Sequence, residues 1–560
     1  MILQGIAASG GCAIGPLALI EQAAAEIDVT ATSTRPVEES LARLTAAVEA
    51  SREDIELIAA TARERIGAEN AAIIEAQLLV LDDPEWHEPV VEAIHEGATA
   101  EGAVWRVSQE VAAMLAALDD PYLSERSADI LDVGQRVVGH LTDRRRQVPT
   151  AGAARDVIIG AYELTPTDTL DLDLEVVRGI VTEVGSRTAH AAIIARQLGI
   201  PAVVGAKGLL DAVSSGDLVL VDGDRGTCTI RPGEDEADRA RASTAARAAR
   251  EVVVDPVSTR DGVAVQVLAN AGSLADVERA VAWGADGIGL FRTEFVFMQA
   301  ATPPDEDEQA AHYAAIAEAA QGRPVTFRTL DIGGDKPVPG LHVEAEANPF
   351  LGVRGVRLTL ANEDLFVAQL RALARTAAAF PGIKVMVPMV SGLEELDQVR
   401  ALLAEHAPDA AFGFGTMVEV PSAATIAPEL AEEVDFLSVG TNDLTAYVLA
   451  ADRGNTGLDY LYDEFHPAVL RTLHQIRSGA GATPVSICGE LAGEPRALAL
   501  LVGLGYHQLS VSGPLVPEVK SAVRELTAAA TAEGVAAVLR ARRRSEVDAA
   551  LDILAQLGMR

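Results

Sequence analysis

The run Gly185-Ser186-Arg187-Thr188-Ala189-His190 follows an apolar, strand-like stretch and precedes Ala191–Leu198, a helical one. That setting places His190 at or near a helix N-terminus. Unpaired backbone N–H groups there attract an anion by about 0.3–1 kcal/mol when exposed. Arg187 adds a cation beside it. A neutral imidazole nitrogen can attack phosphorus, and the phosphoimidazole dianion so formed would be neutralised in place. A lone histidine among ten is ordinarily a surface or core residue. The strand–GSRT–helix setting lifts His190 above that background. Thr165, in Leu164-Thr165-Pro166-Thr167, either fixes the imidazole tautomer or makes an ordinary turn, and the residues alone do not choose.

A second set of reactive residues lies in the C-terminal half. Arg292, Arg328 and Arg453 are cations suited to a phosphate and a carboxylate. For any one of them a rim salt bridge is the favoured reading, but for three at strand or loop ends it is not. Glu419 and Asp443 close two neighbouring apolar runs, and hard oxygen ligands there suit Mg²⁺. Together these groups describe a small phosphorylated acid held by arginines and a metal. Lys336, one of four lysines, signals a role that arginine cannot fill, or codon bias. Arg354, in Asn348-Pro349-Phe350-Leu351-Gly352-Val353-Arg354, is a weaker phosphate candidate. Cys488 ends a later run. Proton donation is open to it, but on its own chemistry a small buried residue is the better reading.

The elements that must position these groups can be read from periodicity. From about residue 252 an apolar run and a helical run alternate. The runs are Val263–Asn270, Gly287–Glu294, Pro324–Asp331, Lys384–Met389, Gly413–Glu419, Phe436–Asp443, Val485–Glu490 and Gln508–Ser512. Eight such units predict a (β/α)8 barrel over 252–560, with polar residues gathered at the carboxyl rim where barrel chemistry takes place. Upstream, strand-like runs in 1–24 and 145–231 predict one α/β domain. Between them, 31–144 is helical: Val37, Leu41, Leu44, Val48, Ile55 and Ile58 keep a helical beat. Residues 37–143 hold 23 acidic and 7 basic residues, either a solvated face or a docking surface for a basic partner. Residues 232–251 form a charged helix with little apolar stripe, which reads as a linker between mobile parts.

The whole chain has 560 residues and a formal charge of −37. A deficit of that size argues against nucleic-acid binding and against docking on anionic membranes. Three cysteines rule out a disulfide framework, and no secretory n-region or membrane-length apolar stretch is visible. These features predict a soluble cytoplasmic protein.

Six segments, GSRTAHAAIIAR, GADGIGLFRTEFVFM, RTLDIGGDKP, NPFLGVRGVR, VGTNDLTAYVLAADRGN and CGELAG, closely resemble the enzyme I family of the bacterial phosphoenolpyruvate:sugar phosphotransferase system. The similarity runs in one order over essentially the whole chain. It implies an N-terminal phosphohistidine swivelling α/β domain with an inserted helical subdomain, then a barrel. It implies that His190 takes the phosphoryl group on Nε2 and passes it to a histidine of the phosphocarrier protein HPr, docked on the helical block. Arg292, Arg328, Asn442, Asp443 and Arg453 match the family's phosphoenolpyruvate contacts, Glu419 and Asp443 its Mg²⁺ ligands, and Cys488 its proton donor. Family members dimerise through the barrel. The chain departs from the family at Ser186, Ala189 and Ser422, none of which removes a functional group. Two rival readings stand beside this one. A pyruvate phosphate dikinase or phosphoenolpyruvate synthase would need a nucleotide-grasping domain, which the helical block does not resemble. A non-catalytic regulatory paralogue would be expected to lose His190 or the metal carboxylates.

Overall fold

The computed structural model describes residues 1–20, 27–65, 77–116, 121–142, 156–164, 176–185, 192, 195, 199–223, 225–248, 253–298, 302–333, 346, 348–452, 458 and 460–559. The chain divides into two compact units, Met1–Ala248 and Ala249–Arg560.

The first unit is built on an eight-stranded mixed sheet. Its strands are β1 (Ile2–Gln4), β2 (Ile6–Ser9), β3 (Cys12–Leu19), β4 (Val157–Ala161), β5 (Val177–Thr182), β6 (Ala202–Val204), β7 (Leu218–Asp222) and β8 (Thr227–Ile230). They lie in the order β1-β8-β7-β3-β4-β5-β6-β2. The central strands β3, β4, β5 and β6 run parallel, and antiparallel partners flank them. A parallel strand covered on both faces has no polar beat. Thus β4 is buried throughout: Val157, Ile159 and Ala161 enter one apolar cluster and Ile158 the opposite one. Between β3 and β4 the chain leaves the sheet to form helices α1 (Val37–Arg65), α2 (Pro84–His95), α3 (Ala100–Ala116) and α4 (Pro121–Leu141). They enclose a separate core around Leu44, Ile55, Trp86, Val104 and Val137. The Trp86 indole N–H is satisfied by the Ser108 hydroxyl at 2.9 Å.

The second unit is a closed barrel of eight parallel strands: β10 (Ala264–Ala271), β11 (Ile288–Arg292), β12 (Val325–Arg328), β13 (Ile383–Val387), β14 (Gly413–Val418), β15 (Phe436–Val439), β16 (Val485–Ile487) and β17 (Gln508–Ser512). Strand β10 pairs with both β11 and β17, which completes the ring, and the short β9 (Val257–Ser258) adds to β10 antiparallel. Apolar strand faces meet the surrounding helices in one large core. Inside the ring Leu290, Met386, Met417, Phe436 and Cys488 make a small cluster of their own. No helix among the described residues is long and apolar enough to cross a membrane.

Several runs read as strands stop short of the polar residues assigned to their ends. Glu294, Asp331, Glu419, Asp443 and Cys488 all lie past the last ladder residue at the carboxyl rim, Glu294 and Asp443 already in the helices that follow and the others in loops. The helix Glu234–Ala248, which reads from sequence as a connector with little apolar stripe, lays its buried Ala237 and Ala240 on the first unit. Its Thr244 hydroxyl donates to the Cys12 carbonyl of β3 at 2.9 Å. Alanines are small enough to bring the helix close without a wide apolar face.

Candidate active site

The register of β11 and β12 sets Arg292 beside Arg328. Like charges adjacent across a ladder repel each other, so counter-charges are needed nearby. They are supplied by the turns that follow. Arg328 is buried and pairs through Nη2 with Glu294, just after β11, and through Nη1 with Asp331 at 2.8 Å. Arg292 is exposed at the rim.

Asp331 is shared. Arg354 Nη2 donates to it at 3.2 Å and also reaches Asp443 at 3.2 Å. Arg354 comes from the loop after the 3-10 turn Pro349–Leu351, and its guanidinium also lies over the Phe350 ring. The neighbouring Gly355 has φ of +58°, and a Cβ there would come 2.8 Å from Met389 Cβ, so glycine lets this loop close on the rim. Tyr447 clasps the same loop, donating its hydroxyl to the Phe350 carbonyl.

Glu419 follows β14 and is fully buried. Its Oε1 accepts the Met389 N–H at 2.7 Å, while a Cβ at position 440 would stand 2.7 Å from Oε2, so Gly440 keeps room for the carboxylate. Burial, then the carboxylates of Asp443 and Asp331, raise the Glu419 pKa well above the usual carboxylate range against the pull of Arg328 and Arg354. Burial works against the charge on both guanidiniums, but the surrounding carboxylates overcome it and hold them protonated.

Asn442 and Asp443 sit in the first turn of the helix Thr441–Leu449. The Asn442 side-chain oxygen accepts the Glu490 N–H at 2.9 Å, which ties this turn to the one holding Cys488. Cys488 is buried inside the barrel. Its thiol donates to the Val439 carbonyl at 3.4 Å and accepts from the Ser438 hydroxyl at 3.3 Å. Burial pushes this thiol up to about 11, with Glu419 adding to the rise and Ser438, Arg328 and Arg292 opposing it.

Within this cage four buried carboxylates (Glu294, Asp331, Glu419 and Asp443) face two buried guanidiniums (Arg328 and Arg354). Among the described residues the acids outnumber the guanidiniums, and that excess adds to burial in raising the Glu419 pKa; a divalent cation with hard oxygen ligands fits such a site. Arg328 Nε and Glu294 Oε2 are buried without a hydrogen-bond partner among the described residues. Unmet polar atoms of that kind mark a place for further polar groups.

Of the residues singled out from sequence, the structure gathers Arg328, Arg354, Glu419, Asp443 and Cys488 with Arg292 and Asn442 at one rim. His190, Arg187, Thr165, Lys336 and Arg453 lie outside the described residues. Ala192 and Ala195, next to the histidine segment, are helical and buried against the first unit's sheet. Gly185, at the end of β5's turn, has φ of +126°. The sequence reading takes Glu294 and Asp331 only as polar strand-end residues and passes over Tyr447 altogether. The pairing of each acid with an arginine two or three positions before it was the available signal. Arg354, read from sequence as the weaker candidate, turns out to bridge two of the acids.

Comparison with known proteins bears on what such a cage serves. Residues 4–126 match the family described as PEP-utilising enzyme, N-terminal; 153–226 match its mobile domain; and 246–528 match its PEP-binding domain. A phosphoenolpyruvate-protein phosphotransferase of Geobacillus stearothermophilus is 41% identical over 541 residues, covering 94% of this chain and 93% of that protein. A protein of the same name from Haloferax volcanii is 44% identical over 497 residues, 86% of this chain and 87% of the relative. A solved structure of Enzyme I (nEIt) is 37% identical and covers 44% of this chain and 98% of its own. It superposes with a TM-score of only 0.36, too low to bear on the fold.

Proposed function

The chain belongs to the phosphoenolpyruvate-protein phosphotransferase family, and from that premise we propose that it moves the phosphoryl group of phosphoenolpyruvate to His190 and then to a histidine of HPr. The observation that carries this reading is the buried rim cage, in which guanidiniums and an excess of carboxylates converge beside an uncharged thiol.

Phosphoenolpyruvate sets its phosphate and carboxylate among Arg292, Arg328, Arg354 and Arg453, with Lys336 and the Asn442 amide as further contacts. Glu294 and Asp331 hold Arg328 so that it need not reorganise as charge moves. Glu419 and Asp443 are the residues that would hold Mg²⁺, which when bound spreads the charge of the transferring phosphoryl group. His190 Nε2 lines up behind phosphorus, with Thr165 fixing its tautomer and Arg187 compensating the new dianion. The N–P bond forms as the P–O bond to the enol breaks. The enolate then takes the Cys488 proton at carbon, and pyruvate leaves.

The second acceptor docks elsewhere. The acidic helical block, residues 31–144, is suited to a basic HPr surface. His190 therefore has two partners to visit, which makes the α/β domain of residues 1–24 and 145–231 a swivelling carrier, joined through 232–251 to the barrel of 252–560. The barrel is also the proposed homodimer contact. A cytoplasmic place for this exchange is part of the reading, and three cysteines that form no disulfide suit a reducing compartment.

Incubation with labelled phosphoenolpyruvate and Mg²⁺ tests the reading. One acid-labile phosphate is expected, mapping to His190, lost in His190→Ala and blocked by chelation. Label on any other residue would overturn the assignment.

A further inference from the structure

Behind the rim, outside the barrel wall, lies a polar network that the reaction as described does not use. Gln369 sits in the helix Glu363–Ala379, on the face that also buries Phe366, Leu370 and Leu373. Its carboxamide is 1% exposed. A polar side chain at a core position of an amphipathic helix costs free energy unless every hydrogen bond is met. Here they are met. Gln369 Oε1 accepts the Leu330 N–H at 3.0 Å. Its Nε2 donates to the Thr293 hydroxyl at 3.1 Å and to the Tyr313 hydroxyl at 3.0 Å. The orientation of the amide is settled, because a backbone N–H can only donate and must face the oxygen. Thr293 passes the chain on, donating to the Arg328 carbonyl at 2.8 Å. On the far side Tyr313 donates to Gln309 at 3.1 Å, and Gln309 to the Pro304 carbonyl at 2.9 Å.

What the carboxamide touches gives the network its meaning. Thr293 stands between Arg292 and Glu294. Leu330 stands between Arg328 and Asp331. One side chain thus holds both strand ends of the cage just where the β11–β12 ladder stops. Past Arg292 and Arg328 the described backbone ladder between these strands ends, and their relative position rests on the Glu294–Arg328 ion pair, the Thr293–Arg328 bond and this carboxamide. We infer that Gln369 is a positioning residue for the phosphoenolpyruvate site, setting the spacing of the Arg292 and Arg328 guanidiniums through Thr293 and Leu330. This rests on the assignment of those arginines to phosphoenolpyruvate. A displacement of a fraction of an ångström at two anion-binding side chains weakens substrate binding more than it weakens the fold.

Three variants of the full chain separate this role from plain packing. Gln369→Glu keeps the shape and the acceptor for Leu330 but loses the donations to Thr293 and Tyr313. Gln369→Leu removes both. Gln309→Met breaks the network only on the side away from the arginines, at Tyr313 and the Pro304 carbonyl. KM and kcat for phosphoenolpyruvate-dependent phosphorylation are measured together with Tm. Both Gln369 variants should raise KM by about ten-fold or more. Gln309→Met should lower Tm with KM within about two-fold of the parent. Should Gln369→Leu not fold, Gln369→Glu carries the test alone. If Gln369→Glu lowers Tm while KM stays at the parent value, the positioning role is overturned and the network is structural. If the parent chain takes no phosphate from phosphoenolpyruvate, the functional reading falls, and this inference with it.

Discussion

Cys488 shows how one environment decides a side chain's chemistry. Its thiol is enclosed by Leu290, Met386, Met417 and Phe436, and burial raises its pKa from 9.0 to about 11. The thiol therefore stays protonated across the neutral range, as the proposed proton donor to an enolate must. A raised folded pKa means that its contribution to stability is complete below about pH 9 and is lost as pH climbs through about 11. Cys488→Ala should slow pyruvate formation by about 10²–10⁴-fold, measured in a single turnover. Cys228→Ala, in β8 of the first unit, should leave the rate alone. The rise should also show in the pH profile: no loss of rate from this thiol is expected below about pH 10. From sequence the residue looked like a small core filler, and it is indeed buried. What the residue text did not carry is the company it keeps, because its neighbours come from strands 50 to 200 positions away. The same holds for Arg354, whose partners Asp331 and Asp443 lie 23 and 89 residues off.

At the scale of elements, the barrel strands were legible because a parallel strand walled by helices is an unbroken apolar run. Where each strand ends was not legible. Polarity marks the start of the rim, not the last ladder bond, so Asp443 reads as a strand end although it lies inside the helix Thr441–Leu449. Gln369 is the converse case: an apolar beat of Phe366, Leu370 and Leu373 hid one polar member. Another buried polar group pins the far side of the barrel. The fully buried Lys520, in the helix Val516–Glu525, pairs with Asp286 at 2.6 Å and donates to the Asp255 carbonyl at 3.1 Å. Asp286 also accepts the Val267 N–H at 2.8 Å. This lysine thus joins a helix, the turn that leads into β11 and the segment that leads into β9. Lys520→Met strands the Asp286 charge and should cost about 3–5 kcal/mol, read from urea unfolding. Adding Asp286→Asn should recover much of that loss, since it removes the unpaired charge and keeps an acceptor for Val267.

The whole molecule is two bodies, and the first carries the histidine. The chain divides at Ala248, and the helix Glu234–Ala248 belongs to the first body, where Thr244 binds Cys12 of β3. A helix so attached moves with the sheet that holds it, so any swivel between the bodies turns on the chain beyond Ala248 rather than along the helix. The acidic helical block is carried by that same first body, inserted between β3 and β4. On the proposed reading, HPr and His190 therefore ride on one unit and phosphoenolpyruvate on the other. The transfer from phosphoenolpyruvate needs the two units together, and the transfer to HPr needs them apart. A crosslink that holds the first unit against the barrel should then permit one phosphorylation of His190 and stop delivery to HPr. Labelled phosphate would remain on the enzyme when HPr is added, and cleaving the crosslink would release it to HPr. Undiminished delivery in the crosslinked protein would remove the need for a swivel. Raising the salt should slow delivery in the uncrosslinked protein, because the 23 acidic residues of positions 37–143 meet only 7 basic ones there and steer a basic partner over distances that ions screen.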